Sequence, residues 1–77
     1  MDAKKLFDRQ LVKAINKYGD DHVDIMITEE NEVYGFYHSN CDSSPITDTF
    51  SLDELGGMQE LMKYEEEFEH LCICEEE

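Results

Sequence analysis

The sequence predicts an α+β fold, a small single domain ordered as helix, antiparallel β-hairpin with a third strand, and C-terminal helix. Three observations carry this expectation: apolar residues recur at helical spacing near the start of the chain, the period drops to two after His22, and the helical period returns after Gly57. Seventy-seven residues suit one domain spanning 1–77. A domain of that size buries only about 60% of the surface its unfolded chain exposes, so any function must be carried on its surface. With 40% hydrophobic residues, four tyrosines, four phenylalanines and a single proline, the chain has enough apolar side chains to offset the entropy of ordering. Folding is expected through residue 72, with residues 73–77 a frayed acidic tail.

The first helix is expected over residues 3–18. Phe7, Leu11, Ala14, Ile15 and Tyr18 fall on one face, Leu6 and Val12 support it, and Gly19 follows where a left-handed C-terminal cap would sit. Lys13 and Lys17 near its C-terminal end suit the helix dipole. From His22, Val23, Ile25 and Ile27 alternate with Asp24, Met26 and Thr28; after "EENE", Val33, Gly35 and Tyr37 alternate with Tyr34, Phe36 and His38. The reading is a hairpin turning near Glu30 and Asn31, one face packed on helices and the other presenting Tyr34 and Phe36. "HSNCDSSP" is rich in turn residues, and "ITDTF" is β-branched and alternating, as a third antiparallel strand would be.

"SLDE" has the form of a capping box, with Ser51 and Glu54 satisfying each other's backbone N–H, and predicts a helix start. Gly56 and Gly57 cost such a helix about 1 kcal/mol each relative to alanine, so a kink or break is expected there. Met58, Leu61, Met62, Tyr64 or Glu65, Phe68 and Leu71 then restore an apolar stripe, opposite Glu60, Glu66, Glu67 and Glu69, to about His70.

Charge is the most informative feature of the composition. The net charge is −14, yet five of the six bases (Lys4, Lys5, Arg9, Lys13, Lys17) stand in residues 1–17 against Asp2 and Asp8, whereas residues 18–77 hold eighteen of the twenty acids against Lys63 alone. Solvated helix faces usually interleave signs, but Glu65, Glu66, Glu67 and Glu69 have only Lys63 beside them. So strong an excess serves solubility or a binding field, and it disfavours direct contact with DNA, RNA or an anionic membrane. No apolar run has the length of a membrane span, and three cysteines (Cys41, Cys72, Cys74) are an odd number, so a reduced, cytoplasmic protein is expected.

Chemistry by cofactor or catalytic group is not expected. His70, Cys72 and Cys74 with Cys41 have the residue types of a zinc site, but a lone C-x-C lacks the spaced pairs that structural zinc uses. Cys41 with His22 or His38 forms no recognisable nucleophile and base motif, and "DDHVD" lacks the ligand order and glycine of a calcium loop. Acids remain. Carboxylates three and four apart on a helix lie about 5–6 Å from each other and can stand in for a row of phosphates.

In size and charge the chain resembles the small acidic inhibitors that phages and mobile elements make against host nucleases, repair glycosylases and CRISPR effectors; the resemblance is one of composition and carries no motif. It implies a non-enzymatic protein that blocks a basic nucleic-acid-binding partner sterically or as a DNA mimic. The residues expected to meet the partner are Asp20, Asp21, Asp24, Glu29, Glu30, Glu32, Glu60, Glu66, Glu67 and Glu69, with Tyr34 and Phe36 as aromatic anchors. The alternative is a structural or regulatory module that forms a homodimer or joins a larger assembly, its acidity serving solubility.

Overall fold

Asp2 starts the first helix by accepting the Lys4 backbone N–H at 3.1 Å, the role a short acidic side chain plays at an N-cap. In the computed structural model, which describes residues 2–75, the elements run α1 (Ala3–Tyr18), β1 (Val23–Ile27), β2 (Glu32–His38), β3 (Ser43–Pro45), β4 (Phe50–Ser51), α2 (Met58–Glu67) and β5 (Ile73–Glu75). α1 buries Phe7, Leu11, Ala14 and Ile15 and ends where the Gly19 N–H bonds back to Ile15 O at 2.7 Å.

β1 and β2 form the expected hairpin, in a register that pairs Ile25 with Gly35 and Ile27 with Val33. Its loop is closed by the Thr28 hydroxyl, which accepts the N–H groups of Glu30 and Glu32, both at 3.2 Å, and Asn31 takes the left-handed φ of 61° that its short polar side chain tolerates. β2 then serves as the platform for two short antiparallel partners. Phe36 pairs with Pro45 in β3, and Val33 pairs with Phe50 in β4.

The third strand therefore does not follow "ITDTF" as expected. Its pairing is split between residues 43–45 and 50–51, because at Gly35 the connector inserts a side chain into the ladder: the Gly35 N–H donates to Thr47 Oγ1 at 2.8 Å, while Ile46 N donates to Gly35 O at 3.0 Å. A Cβ on Gly35 would lie 3.0 Å from Thr47 Cγ2 and 3.1 Å from Leu11 Cδ1, so glycine is what lets the connector and α1 come this close.

The capping box forms as the sequence indicates, Glu54 N to Ser51 Oγ at 3.2 Å and Ser51 N to Glu54 Oε2 at 3.1 Å, but it closes a turn and starts no helix. Gly56 and Gly57 follow with φ of 91° and 86°, which swing the chain out of helical geometry, and α2 begins only at Met58. It ends at Glu67, three residues short of the expected end, with Phe68 extended. Leu61 and Tyr64 of the expected stripe are buried, whereas Met58 and Met62 are 36% and 52% exposed.

The tail corrects the sequence reading most. Ile73–Glu75, expected to fray, form β5, which runs parallel to β1 with Ile25 opposite Ile73 and makes the sheet mixed, in the order β3-β2-β1-β5, with β4 also on β2. Glu76 and Glu77, the remainder of that expected tail, lie outside the described residues.

Both helices cover the same face of the sheet. Phe7 meets Phe50 and Tyr64 edge-on, at 5.7 and 5.8 Å between ring centroids, over a layer made by Val23, Ile25, Ile27 and Val33. Among the described residues no helix is long and apolar enough to cross a membrane.

Candidate protein-binding face

Because the helices take one side of the sheet, strand alternation turns the other set of side chains away from them. On this open face β1 presents Asp24 and Met26, and β2 presents Glu32, Tyr34, Phe36 and His38; the register adds Pro45 beside Phe36 and Cys74 beside Met26. Tyr34 and Phe36 meet edge-on at 6.3 Å, and Phe36 approaches His38 at 5.7 Å. Both anchors predicted from the sequence are half-buried by their neighbours and open to solvent on the outer side.

Asp24 ties this face to the last strand. One carboxylate oxygen accepts the Cys72 N–H at 2.9 Å; the other lies 2.8 Å from His38 Nε2, an ion-pair distance without hydrogen-bond alignment. Two more acids hold the same segment: Asp20 accepts the His70 N–H at 3.4 Å, and Glu65 accepts the Ile73 N–H at 3.1 Å. These carboxylates satisfy backbone donors that an edge strand would otherwise leave to water. Burial, and after it the negative charges of Asp24, Cys72 and Glu65, push the Cys74 thiol above its ordinary value, which keeps it protonated and a poor nucleophile near neutral pH.

The predicted partner-binding residues are thus divided among several places. Asp24, Glu32, Tyr34 and Phe36 share the open face; Glu29 and Glu30 stand exposed at the hairpin tip; Asp20 and Asp21 lie at the entry to β1. Glu60, Glu66 and Glu67 belong to α2 in the helical layer, and Glu69 follows it. Glu60 is internally neutralised, 3.1 Å from Lys63 and 3.9 Å from Lys4. Asp21 lies 3.9 Å from His22 Nε2. Glu29, Glu30, Glu32, Glu66, Glu67 and Glu69 have no cation within ion-pair distance among the described residues.

Sequence reasoning did not nominate Met26, Pro45, His38 or Cys74 for this face. The alternation in β1 carries a signal for Met26, whereas Cys74 joins only through a parallel pairing that no local pattern announces. The bases lie elsewhere. Lys5, Arg9, Lys13 and Lys17 recur every fourth residue along the exposed side of α1, two of them bordering an open groove of about 470 Å³ beside residues 46–48. Among the described residues, no lysine or arginine stands on the open sheet face. Among the described residues, no three histidine, cysteine or acidic side chains are grouped so that they could hold a metal ion.

Neither a protein-family model, nor a curated protein, nor a solved structure matches the chain.

Proposed function

We propose that the chain is a non-enzymatic binding protein that blocks a basic, nucleic-acid-handling protein, its sheet face supplying contact and its carboxylates supplying steering and phosphate-like charge. The observation that carries this reading is the open face, where Tyr34 and Phe36 stand half-buried beside Glu32 and Asp24 with no lysine or arginine among them. An apolar centre rimmed by carboxylates has the composition of a protein interface core with a polar rim, and carboxylates without lysine or arginine beside them favour a cationic partner. Glu66, Glu67 and Glu69 extend the same field over the helical layer.

Both sheet edges weigh against strand-by-strand self-association. β3 is three residues long and ends in Pro45, and the outward Ile73 N–H of β5 is occupied by Glu65. The reading is tested by capturing proteins from nuclease-treated bacterial lysate on the tagged chain, and by asking whether added chain displaces nucleic acid from what is captured. Recovery of a salt-sensitive, nucleic-acid-binding partner that releases its nucleic acid is expected; a partner that keeps it would sink the blockade.

A further inference from the structure

We propose that the open sheet face is a seat for arginine: a guanidinium of the partner stacks on Tyr34, which Phe36 supports edge-on, and turns its N–H fork toward Glu32. This rests on the function proposed above and names the side chain that the face recognises. Tyr34 and Glu32 are two residues apart on β2, so their side chains leave the same face of the strand about 7 Å apart. A cation lying over the ring is then within reach of the carboxylate. Glu32 is exposed and without an ion-pair partner among the described residues, whereas Asp24 on the same face is already engaged by His38 and the Cys72 N–H.

The chain's own cations do not fill this seat. Among the described residues, the two internal cation–ring contacts both use lysines of α1, Lys4 over Tyr64 at 5.2 Å and Lys17 over Tyr18 at 5.1 Å, and both lie away from the open face. Arginine fits better than lysine because its planar group is weakly hydrated, stacks on aromatic faces and offers paired donors to a carboxylate, whereas an ammonium is a strongly hydrated point charge. Those same properties place arginine where proteins grip phosphate, so a seat for it would cover a residue that nucleic acid needs.

The test is a titration of the full chain with oligoarginine and with oligolysine of equal length at physiological salt, read by calorimetry and by the ring proton shifts of Tyr34 and Phe36. Oligoarginine is expected to bind about tenfold more tightly. Tyr34→Leu with Phe36→Leu should reduce that preference to none, as should the surface change Glu32→Gln, which leaves the packing of the sheet untouched. Glu66→Gln with Glu67→Gln should weaken both peptides alike. Equal affinity of the unaltered protein for the two peptides, or an arginine preference that survives the Tyr34, Phe36 and Glu32 changes, overturns the seat and leaves the basic-partner reading standing; no binding of either peptide overturns both.

Discussion

Gly35 acts through the side chain it lacks. Its N–H bonds the Thr47 hydroxyl and its α-carbon faces Leu11, so Gly35→Ala must push both Thr47 and Leu11 aside by a few tenths of an ångström. The expected cost is roughly 1–3 kcal/mol, measured as a lower midpoint in urea unfolding, and an unchanged midpoint would contradict the packing described. The alternation around Gly35 was legible because strand period is local, but its contact with Thr47 joins residues twelve apart and left no local trace. Cys74 gives a second test at this scale. Its raised proton affinity means that folding favours the thiol form, so this contribution to stability is present below the ordinary thiol range and is lost as pH rises through the raised value. Alkylation of Cys74 in the folded protein should therefore level off at a higher pH than in the urea-unfolded chain, as mapped by peptide mass spectrometry. Coincident profiles would remove the effect.

Among the elements, α1 and the β1–β2 hairpin were readable because each declares itself in a run of consecutive residues with one period. α2 and β5 were not, for different reasons. Ser51 and Glu54 make the reciprocal bonds that their spacing promises, but those bonds close a single turn, and two adjacent glycines at positive φ cancel the propagation a helix needs. β5 is three residues long and pairs in parallel with a strand some fifty residues earlier, held at its approach by Asp20, Asp24 and Glu65. These three acids thus accept backbone N–H groups of the approach to β5 and of its first residue, a use that composition does not reveal. Asp24→Ala and Glu65→Ala each remove an acceptor and should speed hydrogen exchange of the amides of residues 72–75 by about tenfold, leaving α1 protection unchanged. Exchange in β5 that matches the unaltered protein would show that these carboxylates do not hold the strand.

At the scale of the whole molecule, the two-sided charge noted in the sequence becomes a spatial arrangement. Four bases line the outer side of α1, on the layer opposite the open sheet face, and the principal extents of 31, 26 and 21 Å set the two sides farther apart than the Debye length of about 8 Å at physiological salt. A cationic partner seated on the sheet face therefore meets that face's own carboxylates, while the charges of the helical layer, α1 bases and α2 acids alike, act on its approach. The acidic excess was legible as a total, and the sharing of one sheet face by Tyr34 and Phe36 was legible from the alternation in β2. Which acids stand beside those rings was not, because that depends on both helices packing against one side of the sheet. The most direct measurement compares, in parallel capture from nuclease-treated bacterial lysate, the unaltered chain, the Tyr34→Ser with Phe36→Ser pair, and the Glu66→Lys, Glu67→Lys, Glu69→Lys triple, each first shown to be folded. A basic nucleic-acid-binding protein should be retained by the unaltered chain, released as salt rises, lost from the aromatic pair and weakened in the charge-reversed triple. Equal recovery of the same proteins by all three would contradict a binding face built on Tyr34 and Phe36 and steered by acidic charge.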